Sequence, residues 1–212
     1  PSSPMTAQDV LDADAPHVIL ATGSTWRRDG VGRYHSRPIQ GNGNVFTPDD
    51  LMNGKMPTGK VLIYDDDHYY MGGVLAELLA TNGCEVTLVT PAPTISAWTE
   101  YTLEQERIYK RLLSLNVTLL PHHALASFSP TTATVTHTIT STESTLPCDA
   151  IVLVTDRIPN DTLYHELKPA LADGRLKSLR IIGDAEAPNI IAQAVFAGHL
   201  AAREFDEVIN PD

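Results

Sequence analysis

Asp65-Asp66-Asp67-His68 is the densest run of chemically capable side chains in this chain. Clustered acids either ligate a hard cation or repel any phosphate brought near them. No further carboxylates converge on the run by spacing, so it reads as a solvated or hydrogen-bonded loop. Trp26-Arg27-Arg28 offers an indole face and two guanidiniums, suited to stacking on a base or pairing a phosphate, and equally to packing beneath a loop. His122-His123, His137 and His199 have no acid or nucleophile at a spacing that makes a catalytic pair or triad. Cys84 and Cys148 lie far apart in strand-like contexts with no CxxC, and read as buried free thiols of a reducing, cytoplasmic compartment. Thr22-Gly23 and Gly183-Asp184 each follow an apolar run, which puts small residues and bare backbone at a strand's carboxyl end.

The elements that must position these residues centre on Gly59 to Thr90. Lys60 to Tyr64 is an apolar run, Gly72 to Ala80 has helical spacing, Asn82-Gly83 is a helix stop and Cys84 to Val89 is a second strand. This is a βαβ unit of Rossmann type. A dinucleotide site would carry Gly-x-Gly-x-x-Gly after the first strand and an acid after the second. Here the first place holds Asp65 to Tyr70 and the second holds Val89-Thr90-Pro91. Both features fail, so NAD(P) binding in this unit is not expected.

Around that unit, His17 to Ala21, Asn116 to Leu120, Asp149 to Thr155 and Leu179 to Ile182 read as further buried strands. Thr47-Pro48-Asp49-Asp50 opens a short helix, with Thr47 as N-cap. Thr102-x-x-Gln105 reads as a capping box before a helix from Glu104 to Leu115. Ala124 to Leu146 alternates Thr and Ser with small apolar residues, as antiparallel strands with one wet face do. Residues 1–15 show no period and read as a loop or surface strand. A last helix runs from about Asn189 to Val208, with Ile190, Ile191, Ala194, Val195, Gly198, Ala202 and Phe205 on one face. The fold class is therefore α/β: a parallel Rossmann-like sheet of the FAD/NAD(P)-binding type with an antiparallel β meander, occupying 47–155. Parts of a second nucleotide-binding subdomain flank it at 1–46 and 156–212.

The 212 residues carry a net charge of −11, which argues against nucleic acid and anionic membrane as partners. No apolar run reaches the roughly 20 residues of a membrane span. The chain begins at Pro1 without a start methionine, as a processed or excised piece does.

HVILATGSTWRRDG, DDDHYYMGGVLAELLATNGCEVTLVT, VLVTDRIPNDTLYHELK and IIGDAEAPNIIAQAVFAGHLAARE together resemble the C-terminal part of the trimethylamine dehydrogenase family. That family includes dimethylamine and histamine dehydrogenases and has a glutathione-reductase-like two-dinucleotide-domain fold. The resemblance implies an N-terminal flavin barrel with covalent FMN and an iron–sulphur cluster, outside these residues. It implies oxidation of an N-methyl amine, electron transfer to an electron-transferring flavoprotein and a homo-oligomeric intact enzyme. This portion would be structural and inactive alone, holding ADP or FAD at Thr22, Gly23, Gly183 and Asp184. Asp184 would accept a ribose or ribityl hydroxyl. Asp156 departs from the family-like Thr-Gly-Arg-x-Pro-Asn turn, where such proteins often have Gly. The alternatives are part of a dienoyl-CoA-reductase-like enzyme using NADPH and FAD, which the acidic loop opposes, and a non-catalytic interaction module.

Overall fold

The computed structural model of the chain describes residues 4–209; Pro1, which carries the reading of an excised start, lies outside them. In chain order the elements are α1 (Ala7–Asp12), β1 (His17–Leu20), β2 (Ser24–Trp26), β3 (Gln40–Gly41), β4 (Val45–Phe46), α2 (Pro48–Met52), β5 (Lys60–Asp65), α3 (Tyr70–Thr81), β6 (Glu85–Val89), α4 (Gln105–Ser114), β7 (Thr118–Leu120), β8 (His123–Phe128), β9 (Thr132–His137), β10 (Glu143–Pro147), β11 (Ala150–Val154), β12 (Arg157–Pro159), α5 (Thr162–Ala172), β13 (Ser178–Ile181) and α6 (Ile191–Ile209). They form a continuous unit, Trp26–Asp156, and a discontinuous one, 1–25 with 157–212. Residues 26–46, grouped by sequence with the flanking pieces, are held in the continuous unit, where β4 pairs with β11.

The continuous unit is built on a five-stranded parallel sheet, ordered β4-β11-β5-β6-β7. Its strands read as unbroken apolar runs because both faces are covered. On one face, Val61, Ile63, Leu88, Val152 and Val154 pack with Leu75, Ala76 and Leu79 of α3 and Leu112 of α4. On the other, Leu62, Tyr64, Val89, Ile151 and Leu153 meet Leu125 of β8 and Ala133 and Val135 of β9. Those last residues belong to the sheet β10-β9-β8-β3, antiparallel except at β3–β8, which is the expected meander. The helix stop holds: Gly83 follows the end of α3 at φ +88°, a conformation that costs glycine little.

Two expectations at helix starts fail. Residues 1–15 contain α1, because Thr6 and Asp9 form a reciprocal capping box that an acid-rich segment obscured. The box at Thr102-x-x-Gln105 does not form: Thr102 Oγ1 donates to Thr99 O, and Gln105 Nε2 donates to Thr94 Oγ1 and Ile95 O. Leu103 between them sits at φ +60°, and the helix begins only at Gln105. The Thr47 start is as expected, with Asp50 Oδ2 accepting from Thr47 N at 3.0 Å.

In the discontinuous unit β1 and β13 pair in parallel, and Val18, Leu20, Leu167, Ala170 and Leu176 form its core. The last helix begins at Ile191, and its expected apolar face is packed only in part, with Ala194 against Gly183 and Phe205 against His17. Ala201 is buried, while Ile191, Val195 and Phe196 are exposed, Ile191 at 83%. Periodicity identified an amphipathic helix and could not say which stripe has a neighbour.

Leu88 is fully buried in the helix-side core, so Leu88→Ala should lose about 2–5 kcal/mol of stability. A lower urea midpoint with an unchanged slope is the expected reading.

Candidate functional site

The crevice at the carboxyl ends of β5, β6 and β11 is where a dinucleotide sits in this architecture. Here the chain fills it with its own groups. Asp65 and Asp66 are fully buried, so the run is hydrogen-bonded rather than solvated. Asp65 Oδ1 accepts the backbone N–H of Asp67 and of His68, each at 3.1 Å, just ahead of α3. Those are donors of the kind that cradle a phosphate at a helix start. Asp65 Oδ2 has no hydrogen-bond partner and lies against Gly72, where a Cβ would stand 2.5 Å away. The glycine is there to admit the acid.

Asp66 and His68 complete the filling. Asp66 Oδ2 accepts the backbone N–H of Tyr34 at 2.8 Å, and the His68 imidazole spans from Asp66 Oδ1 (3.4 Å) to Thr90 Oγ1 (3.3 Å). Thr90 stands at the end of β6, where a ribose-binding acid would be. The loop that carries Tyr34 lies over the same strand ends. A Cβ at Gly32 would come within 3.1 Å of Thr155, the Arg33 guanidinium sits 4.2 Å over the Trp98 ring, and His35 packs beside Tyr64. The Tyr69 and Tyr70 rings lie together, centroids 4.3 Å apart. Tyr70 turns its hydroxyl to Thr102 (3.0 Å) and Glu104.

The electrostatics follow from burial. Asp65 is pushed up to about 7 by desolvation, with Asp67 adding to the rise, against the pull of His68 and the two N–H donors. Burial likewise pushes the Tyr64 phenol up and the His35 imidazole down, Asp66 opposing the latter.

Thr22, Gly23, Gly183 and Asp184 lie in the discontinuous unit. Thr22 Oγ1 donates to Asn160 O at 2.5 Å, Asn160 Nδ2 donates to Thr22 O at 3.1 Å and Asn160 N donates to Gly23 O at 2.9 Å. Asp184 Oδ2 accepts from Arg157 Nη1 at 2.5 Å and from Ser24 Oγ at 3.2 Å, and Oδ1 accepts from Asn189 N at 3.2 Å. Ser24 thus ties the two strand ends together. Sequence reasoning passed over Ser24, Arg157, Asn160 and Asn189; the Arg-x-Pro-Asn run at 157–160 was the available signal.

The remaining candidates resolve differently. Trp26 packs against the helix-side core, Arg27 pairs with Asp29 at 2.6 Å and Arg28 with Asp50 at 2.5 Å. The fold gathers His122, His123 and His137, with ring centroids 6.0 and 4.8 Å from His137, through the β8–β9 pairing. His137 Nδ1 accepts from Ile139 N and Thr140 N, so the neutral ring carries its proton on Nε2, the nitrogen a metal would need. Among the described residues no group of three or more His, Cys, Asp or Glu can hold a metal ion.

Two outcomes test the crevice. A folded-state value near 7 lies above the unfolded value of about 3.9, so Asp65 contributes stability that is present at low pH and lost as pH rises towards 7. Asp65→Asn should therefore flatten the fall in urea stability between about pH 4.5 and 7.5 relative to the parent chain; parallel curves would refute the burial argument. Gly72→Ala should cost about 1–3 kcal/mol, and much less in an Asp65→Ala background, because the clash is with that carboxylate.

Residues 46–136 match the family model of the OYE-like second alpha/beta domain. The chain is 33% identical to dimethylamine dehydrogenase of Hyphomicrobium sp. (strain x), over 96% of its own length and 31% of the relative's. The structure of histamine dehydrogenase from Rhizobium sp. 4-9 superposes with a TM-score of 0.93 at 42% identity, over 99% of this chain and 33% of that one. That of 6-hydroxypseudooxynicotine amine oxidase from Pseudomonas geniculata N1 superposes with 0.91 at 40%, over 94% and 30%. The chain spans about a third of the length of these relatives. Over that third its fold and sequence agree with theirs throughout, and the chain belongs to the trimethylamine-dehydrogenase-like family of flavoproteins.

Proposed function

We propose that this chain is a scaffold portion of an amine-oxidising iron–sulphur flavoprotein and carries no redox step itself. The observation behind the scaffold role is the Asp65 carboxyl group on the N–H groups of Asp67 and His68, which occupies two backbone donors of the loop where a dinucleotide phosphate would lie. Oxidation of an N-methyl amine or related substrate then belongs to an N-terminal flavin barrel with FMN and an iron–sulphur cluster, the arrangement that the family resemblance implies. An electron-transferring flavoprotein is the acceptor consistent with that reading, and the intact enzyme is a homo-oligomer.

A nucleotide, ADP or the ADP half of FAD, fits the discontinuous unit. A Cβ built on Gly23 meets nothing within 4 Å, so bare backbone faces open space there. Asp184 Oδ1 accepts one bond and keeps capacity for a ribose or ribityl hydroxyl. Gly183, at φ +63°, turns the chain so that Asp184 can meet Ser24 and Arg157. These residues bind and orient; none abstracts a proton. The exposed Ile191, Val195 and Phe196 are accounted for by the remainder of the same nucleotide-binding subdomain packing over them.

The test is to denature the longer enzyme that contains this chain and identify what it releases. ADP or FAD should appear, and Asp184→Ala should lower it severalfold while flavin bound to the barrel stays. Release of NAD(P), or nucleotide content indifferent to Asp184, would overturn the reading.

A further inference from the structure

The continuous unit has a second concave surface, away from the filled crevice. A groove of about 490 Å³ runs between α3 and α4, floored by Gly73, Ile108 and Leu112. Its α3 wall exposes Val74 at 56%; Leu78, one turn further along α3 and beyond the groove's lining, is 37% exposed. At its end, beside Tyr70 and Glu104, Leu103 is 93% exposed while its backbone is held at φ +60°. A left-handed conformation costs a leucine about 1–2 kcal/mol. Strain that presents an apolar side chain to solvent is a feature of binding surfaces rather than of cores.

The charges on the rim are uneven. Glu104 is engaged by Tyr70 and Thr102 hydroxyl chemistry, with Tyr70 donating to it, and Glu77 is paired with Arg111 at 2.8 Å. Arg107 and Lys110, both exposed, make no hydrogen bond or ion pair among the described residues; Glu104 is the charge that Arg107 acts on through space. They stand three residues apart, on neighbouring positions of one helix face. The chain as a whole carries −11, whereas the groove's lining sets Arg107, Lys110 and Arg111 against Glu77 and Glu104, with Glu106 exposed beside them. An acidic partner is attracted by Arg107 and Lys110, which fixes where and how it lands.

We propose that the α3–α4 groove docks an amphipathic helix of a separate partner protein, one that lays an apolar stripe along Val74, Leu78 and Leu103 and sets carboxylates against Arg107 and Lys110. α3 has 12 residues, about 18 Å, which matches about three turns of a docked helix. Apolar anchors one turn apart in a groove between two helices are the usual form of this contact. The proposal stands independently of any nucleotide in the discontinuous unit.

Three synthetic helical peptides of about 16 residues test it against the 212-residue chain. One has a leucine stripe edged with Glu, the second the same stripe edged with Lys, and the third the Glu edge with Ser for Leu. By fluorescence anisotropy the first should bind about tenfold tighter than either of the others, and its advantage over the Lys peptide should shrink at about 0.5 M salt. Arg107→Glu with Lys110→Glu should reverse the order of the two charged peptides. Val74→Glu should abolish binding with an unchanged circular dichroism spectrum, since Val74 is exposed. Amide shifts confined to α3, α4 and Leu103 are expected. Equal affinity for all three peptides, or shifts elsewhere, would overturn the proposal. So would concentration-dependent self-association that Val74→Glu dissolves, since a second copy would then be the occupant. Protection of Val74 and Leu103 by the remainder of the longer enzyme would overturn it too.

Discussion

The arrangement of the continuous unit depends on one short-range contact, the Asp65 carboxyl group accepting the N–H groups of Asp67 and His68 at the head of α3. A helix start exposes backbone donors that must be satisfied by side chain, water or ligand. In a dinucleotide domain a pyrophosphate does this. Here Asp65 engages the N–H groups of the turn that leads into α3, and the consequences spread outward. Gly72 must lack a side chain to admit the acid. Asp66 is buried beside it; its Oδ2 accepts from Tyr34 N, while its Oδ1 has the His68 ring 3.4 Å away and makes no hydrogen bond. Supplying Tyr34 brings the 29–39 loop over the strand ends, with Gly32 against Thr155 and Arg33 on Trp98. Each step removes a place where a ligand atom would have stood.

Burial makes this arrangement costly as well as specific. A carboxylate in a low-dielectric interior is destabilised relative to its acid, and two N–H donors offset that only in part. Oδ1 can accept both donors in either protonation state, so the geometry survives titration while its stability does not. The family architecture keeps the sheet and helices because their apolar faces still need each other. The crevice polarity is met in part: Asp65 Oδ1 and Asp66 Oδ2 accept backbone N–H groups, while Asp65 Oδ2, Asp66 Oδ1, Tyr64 Oη and Thr155 Oγ1 are buried without a hydrogen bond among the described residues.

Sequence revealed the frame and hid the closure for the same physical reason. The strands of the parallel sheet are apolar runs buried on both faces, and α3 is an apolar helix ended by Asn82-Gly83, so local pattern suffices to find them. Thr22-Gly23 and Gly183-Asp184 were legible as strand ends. That Ser24 and Arg157 join Asp184 was not, because the one stands 160 residues from it and the other 27, beyond the reach of any local pattern. The filling loop was invisible for the same cause: Tyr34 meets Asp66 through its backbone N–H, a group every residue but proline carries. The failed box at Thr102 shows the reverse error, a local motif outvoted when Gln105 found better partners in Thr94 and Ile95.

The two units differ in how their strand ends are occupied. The continuous unit turns Asp65, Asp66 and His68 inward over its crevice. The discontinuous unit keeps a glycine backbone open at Gly23, an aspartate with spare acceptor capacity at Asp184 and an uncovered apolar helix face. An uncovered apolar face has a free-energy cost in water that an added layer removes, at about 25 cal/mol per Å² of apolar surface. The discontinuous unit pairs Thr22, Ser24 and Asp184 within its own chain and leaves apolar surface unmet, whereas the continuous unit encloses its crevice and leaves Tyr64 Oη, Asp65 Oδ2, Asp66 Oδ1 and Thr155 Oγ1 buried without a hydrogen bond.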